Sequence, residues 1–188
     1  MLFLNSMKKI MFSDKFCLTQ AVLDGTKTMT RRLLKEGAPL GNWEETEKYL
    51  PYKVGEVVAI AQSYESIMDE SVRNSALPCW SFADDHCDET GWNNKMFVRA
   101  DLMKHHIRII DVKVERLNDI SDKDCLREGI EEHFNGIQYV LKTNTGYCYQ
   151  HPFDTPHEAF ASLIDKVSGK GTWERNPWVA AYSFERTD

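Results

Sequence analysis

The chain has 188 residues, of which 42% are hydrophobic and 28% charged; this is the composition of one globular domain and excludes a disordered or collagen-like chain. Ten Gly and six Pro are too few for a low-complexity linker protein. The 23 basic and 29 acidic residues give a net charge of −6, which excludes a nucleic-acid coat that is basic throughout.

In chain order, Lys9 to Ser13 is a short apolar run that predicts a strand. Asp14 to Leu23 predicts a helix with Phe16, Ala21, Val22 and Leu23 on its apolar face, stopped by Asp24-Gly25. Thr26 to Leu34 predicts a turn running into a strand, and Gly37, Pro39, Gly41 and Pro51 predict a loop over 35–53. Val54 to Tyr64 is β-branched and apolar, the pattern of a buried strand. Residues 66–95 are polar and irregular, with Trp80 and Trp92 as isolated anchors.

Ile107 to Leu117 alternates from Ile110 onward, with Ile110, Val112 and Val114 on one face and Asp111, Lys113 and Glu115 on the other. Ser121 to Glu128 predicts a short helix, with Ser121 as N-cap, Asp124 three positions later and Gly129 just past its end. A loop or hairpin is expected over 131–155, an amphipathic helix over Pro156 to Val167 and a closing strand over Trp178 to Phe184. Short helices between non-adjacent strands predict an α+β domain on a small mixed barrel or curled sheet, and no GxGxxG is present.

Charge is unevenly placed. Residues 1–40 hold seven Lys/Arg and three Asp/Glu, and the acidic excess lies in the rest, so a local basic patch is available to guide an anionic ligand. The five cysteines, Cys17, Cys79, Cys87, Cys125 and Cys148, include no CxxC, which predicts free thiols in a reducing cytoplasm. Leu2-Phe3-Leu4 is too short for a signal peptide and no apolar run approaches a membrane span. A cytoplasmic protein with no membrane partner is expected.

The densest polar cluster is Gly25-Thr26-Lys27-Thr28-Met29-Thr30-Arg31-Arg32. A Lys beside other cations, or partly desolvated, loses basicity and can take the proton of a nearby hydroxyl; the same run would equally serve as a solvated strand edge. Glu128 lies at the negative end of its helix, where the dipole repels a carboxylate; it calls for a cationic partner, a raised pKa or solvation. Cys79, His86 and Cys87 match no standard zinc spacing, and His151, Asp154 and His157 flank prolines in a loop, so neither metal nor cofactor is expected. Trp173 and Trp178 flank Asn176-Pro177. Trp178 is expected to plug the barrel end, whereas Trp173 is a candidate to stack on a nucleobase.

These residues resemble the ASCH domain, a branch of the PUA-like superfamily, and its longer bacterial and phage members most. Four stretches in order carry the resemblance: Gly25 to Arg32, similar to the family's G-x-K-x-x-T-x-R; Val54-Gly55-Glu56-Val57, like its G-D strand entry; Val114 to Leu117 through Glu128-Gly129-Ile130, like its strand, short helix and E-G-I; and Trp173 to Phe184, like its closing G-T-W-x-x-N-P-W-V strand. The match makes residues 1–188 one domain with insertions at about 66–95 and 131–155. Where family members carry an Arg-Glu pair after the G-D strand, this chain reads Ala61-Gln62-Ser63-Tyr64.

The resemblance implies a PUA-like barrel with helices at its rim, and RNA or a modified nucleoside as ligand in a cleft beside the first motif. A subfamily hydrolyses N4-acetylcytidine. Its catalytic residues fall here on Lys27 as base, Thr30 as nucleophile and Glu128 as the group that manages the Lys proton, and Lys27 then becomes the partner that Glu128 calls for. Arg31, Arg32, Trp173 and Asn176 are the expected substrate-binding residues. Positions three apart in a regular strand face opposite sides, so Lys27 and Thr30 converge only if Lys27 still lies in the turn. A binding module that keeps Lys27, Arg31 and Arg32 as phosphate contacts is the second reading, and a phage-derived protein-interaction domain the third.

Overall fold

The structure, a computed structural model, describes residues 7–73, 86–147 and 152–188. Cys79, Trp80, Cys148, His151 and the leading Leu2-Phe3-Leu4 lie outside the described residues. The chain is mixed α+β and falls into two compact units. One takes the chain up to Phe12, Val57–Ile107 and Thr187–Asp188; the other takes Ser13–Glu56 and Arg108–Arg186.

In the first unit β1 (Lys9–Ile10) runs parallel beside β3 (Val57–Ile60), which neighbours the start of β4 (His106–Arg116). Its core gathers Ala59, Ala61, Tyr64, Ile67, Val98 and Met103, with Trp92 packed against them. Tyr64 and Ile67 belong to α3 (Tyr64–Arg73), a helix within a stretch whose sequence reads as irregular. The Ser63 hydroxyl accepts the Ser66 N–H and starts that helix. Only one sparse stripe of α3 is apolar, so its helical period is faint in the sequence.

In the second unit the strand order is β4, β9 (Trp178–Arg186), β2 (Met29–Leu33). β2 and β9 are antiparallel in an unbroken register from Met29↔Ser183 through Thr30↔Tyr182 and Arg31↔Ala181 to Leu33↔Val179. Among the described residues no pairing closes the strands into a ring. Helix α1 (Leu18–Leu23) precedes β2, and Gly25, at φ +75°, makes the turn between them. The expected loop over 35–53 contains α2 (Trp43–Thr46) and a 3₁₀ turn (Glu47–Tyr49). The buried Thr46 hydroxyl ties this segment down, its one proton lying within reach of the carbonyls of both Pro39 and Asn42.

Strand β4 departs from simple alternation. Ile107 and Ile109 are buried, Ile110 and Asp111 are both exposed, and Val112 is buried again. The buried face therefore changes phase at Ile110, which is 46% exposed and not inward-facing as expected. Helix α4 (Asp122–Arg127) starts at Ser121, whose hydroxyl accepts the Asp124 N–H, and ends at Glu128 with Gly129 at φ +101°. The segment after it forms two hairpins, β5 (Glu131–His133) with β6 (Gln138–Val140) and β7 (Lys142–Thr143) with β8 (Gly146–Tyr147). Helix α5 (Pro156–Ser168) buries Phe160, Leu163 and Ile164 and leaves Val167 exposed. A short α6 (Thr172–Arg175) precedes β9.

Candidate functional site

The first motif delivers its side chains to two different faces of β2. Met29 and Arg31 share one face, with an Arg31 guanidinium nitrogen 3.3 Å from the Met29 sulfur. Thr30 and Arg32 take the other, because successive strand residues alternate and the register with β9 has no bulge. Cross-strand partners follow suit: Ser183 and Ala181 lie on the Arg31 side, Tyr182 and Ala180 on the Arg32 side.

On the Arg31 side lies a network of charges, buried at Lys27, Arg31 and Glu128 and partly exposed at Lys113 and Arg127. Lys27, in the turn before β2, is 2% exposed, and its Nζ donates to Glu128 Oε2 at 2.6 Å and to the Glu128 carbonyl at 2.7 Å. Arg31 donates to the other Glu128 oxygen at 3.0 Å and to Glu115 Oε1 at 2.7 and 3.1 Å, and it lies 3.4 Å from Asp124 Oδ2. Lys113 reaches Asp124 at 3.2 Å and Glu115 at 3.1 Å. Arg127 joins Asp124 at 3.2 Å, the Thr28 hydroxyl at 3.1 Å and the Ser183 hydroxyl at 3.1 Å. Four cations thus face three carboxylates.

The field of this network explains its titration. Burial holds the Lys27 ammonium below its ordinary pKa, against the pull of Glu128, and the charges of Arg32 and Arg31 lower it further. Burial works to raise the Asp124 pKa, but hydrogen bonds from Lys113 and Arg127 and the charge of Arg31 prevail and hold it below the ordinary value. The Cys125 thiol, buried on α4, is pushed up to about 12 by desolvation, so it is an inert packing group.

The expected catalytic set therefore divides. The structure brings Lys27 and Glu128 together, and Lys27 does lie in the turn. Thr30 is buried, and the β2 register puts it on the face opposite Arg31, which speaks against its expected convergence with Lys27. The reason is geometric: Lys27 turns toward the same side as Arg31, and Thr30, one residue from Arg31, must face away. Arg31, expected to bind substrate, has no exposed side-chain surface and spends its donors on carboxylates within the chain.

Arg32 has a different setting. It lines a cleft of about 270 Å³ together with Lys35, Lys48 and Tyr49, over apolar walls that include Leu50 and Pro51. Lys48 and Tyr49 are presented by the 3₁₀ turn that Thr46 secures. The lining holds three cations and no carboxylate, on a chain whose net charge is −6. Beside Arg32, Tyr182 and Tyr52 meet edge to face with ring centroids 5.6 Å apart. Lys35, Lys48 and Tyr49 were not singled out by sequence reasoning. The basic excess of residues 1–40 carried a signal for Lys35, whereas Lys48-Tyr49 is hidden behind Glu44, Glu45 and Glu47.

Both tryptophans are partly buried and engaged by neighbouring side chains. Trp173 packs edge-on against Phe160, at 6.1 Å between ring centroids, and its backbone N–H donates to Asp165. Trp178 is only half-buried and carries the Arg116 guanidinium over its ring at 4.6 Å. Asn176 adopts left-handed backbone at φ 45°; its side-chain oxygen accepts the Asn118 N–H at 2.9 Å and its carbonyl accepts from Arg116 at 3.0 Å. It stitches the turn before β9.

Among the described residues no three His, Cys, Asp or Glu side chains are grouped to hold a metal ion. His86 stacks on Tyr64 and bonds Glu89 at 2.9 Å, and Cys87 is exposed. His157 is engaged by Asp122 at 2.6 Å and by the Ile120 carbonyl. Among the described residues no helix is long and apolar enough to cross a membrane.

No family model and no curated protein matches the chain. Two solved structures are similar to it. One is an ASCH domain from Lactobacillus crispatus JV V101, with a TM-score of 0.42 and 12% identity over 96% of this chain and 79% of that one. The other is a protein of the DUF984 family from Enterococcus faecalis V583, with a TM-score of 0.42 and 15% identity over 100% of this chain and 78% of that one.

Proposed function

We propose that the protein is an ASCH-domain protein that binds RNA or a modified nucleotide in the cleft at Arg32, beside the G-x-K-x-x-T-x-R stretch. One observation carries the reading: three cations and an exposed tyrosine line a cleft that contains no carboxylate. Arg32, Lys35 and Lys48 suit a phosphate, and Tyr49 suits the face of a base; each base stacked on an aromatic ring contributes about 1–3 kcal/mol. The four sequence stretches in family order support the same ligand class.

The Lys27–Glu128 pair acts as the anchor of this site. It fixes the turn before β2 to the end of α4 and thereby sets where Arg32 emerges. A hydrolytic reading draws on the lowered pKa of Lys27, but an activated nucleophile must lie within hydrogen-bond reach of its base. The opposed faces of Lys27 and Thr30 favour binding without hydrolysis.

Calorimetric titration with cytidine 5′-monophosphate, its N4-acetyl form and a short single-stranded RNA tests this. Binding is expected to weaken with salt, and Arg32→Ala or Lys48→Ala should each lower affinity and reduce the salt slope by about one. Thr30→Val should leave affinity within twofold. Release of acetate from the acetylated nucleotide by the wild type, abolished in Thr30→Ala, would establish the amidohydrolase instead.

A further inference from the structure

We infer that the Arg32 cleft is one half of a longer groove that takes a single-stranded oligonucleotide across at least two nucleotides; this rests on the binding reading above. A second cleft, of about 260 Å³, is lined by Arg116, Trp178, Leu40 and Glu36 and shares Leu34 and Lys35 with the first. The shared wall makes the two clefts neighbours. Leu34 is held there by its own N–H, which donates to the Trp178 carbonyl at 3.0 Å.

Each cleft repeats the same pairing of a ring with cations. The first offers Tyr49 with Arg32 and Lys48, the second Trp178 with Arg116, and Lys35 stands at the boundary of both. Alternation of aromatic platforms and cations is what a single strand needs, because each nucleotide brings one flat base and one phosphate. The Arg116 guanidinium is already oriented, over the Trp178 ring at 4.6 Å and bonded to the Asn176 carbonyl at 3.0 Å, so little order is lost when a base stacks on it or a phosphate meets it. Glu36 is the one carboxylate in the second lining, against two cations. Each volume lies just below the small end of ligand pockets, about 300–1,000 Å³, which suits one nucleotide unit per cleft.

The experiment compares affinities of the intact protein for cytidine monophosphate and for single-stranded RNA of two, three and six nucleotides at one salt concentration. Affinity should rise at least tenfold from one to three nucleotides and then level off. Arg116→Ala should abolish most of that rise and leave the mononucleotide within twofold of wild type, whereas Tyr49→Ala should weaken both. Arg116→Lys keeps the charge without the planar fork and should give an intermediate loss, with a thermal melt to verify folding of each variant. Equal affinity for one and three nucleotides, or an unchanged trinucleotide affinity in Arg116→Ala and Arg116→Lys, would overturn the groove and leave the single cleft. Absence of binding at every length would overturn the cleft reading together with the groove.

Discussion

Glu128 ends helix α4 where the helix dipole repels a carboxylate, and it is 4% exposed. Two buried cations, Lys27 at 2.6 Å and Arg31 at 3.0 Å, compensate for that placement. Removing one partner from such a pair leaves an uncompensated buried charge, at a cost of about 3–5 kcal/mol. Lys27→Met and Glu128→Gln should each lower stability in urea unfolding by amounts approaching that range, and the double variant by clearly less than their sum. The expected coupling is about 1–3 kcal/mol. Additive losses would show that Lys27 and Glu128 do not act as a pair. The residue-level signal was legible only in part: a carboxylate just before Gly129 leaves open a cationic partner, a raised pKa or solvation, and the packing of Lys27 and Arg31 decides for the first. The contribution of Arg31, Glu115 and Lys113 was not legible, because it depends on which strand faces meet.

At the scale of elements, two glycines bound the structure that holds this network, and they differ in surroundings. Gly25 turns the chain from α1 into β2 at φ +75° with nothing within 4 Å of where a Cβ would stand. Gly129 ends α4 at φ +101°, and a Cβ there would meet the buried Leu18 side chain at 2.9 Å. Gly25→Ala bears only the left-handed backbone cost of about 1–2 kcal/mol. Gly129→Ala bears backbone strain of about 1–3 kcal/mol and must also displace Leu18. Thermal melts should therefore rank Gly129→Ala well below Gly25→Ala, and equal losses would mean that Leu18 yields freely. Helix α4, with its Ser121 cap and Gly129 stop, was legible because caps are local chemistry, and so were α5 and β9. Helix α3 was not, for its apolar stripe is thin and its other faces are polar. The phase change at Ile110 was equally hidden, since continuous alternation is the simplest reading of that stretch. The division of β2 into two faces was not read either: Arg31 and Arg32 were expected to act together, and only the packing shows Arg31 turned with Lys27 onto Glu128.

Across the whole molecule, acidic groups outnumber basic ones, with a net charge of −6, and that balance reverses in acid. As carboxylates protonate, the 23 Lys/Arg and six His are left without counter-charge, and self-repulsion favours unfolding. Specific groups add to this general effect. Asp124 titrates below its ordinary 3.8 in the folded chain: burial opposes the shift, but Lys113, Arg31 and Arg127 outweigh it. In the unfolded chain Asp124 takes up its proton near that ordinary value, while the folded chain still holds the carboxylate charged. Its stabilising contribution is therefore complete above about pH 4 and is lost as pH falls through the lowered folded value. Urea unfolding measured from pH 6 to pH 2.5 should show wild-type stability dropping steeply below pH 4. Asp124→Asn should begin lower at pH 6, by about 1–3 kcal/mol for the charged hydrogen bonds it forfeits, and its curve should approach the wild-type curve as pH falls. Parallel curves over the whole range would mean that the Asp124 charge is not what the network holds, and that repulsion among the remaining cations alone drives acid unfolding.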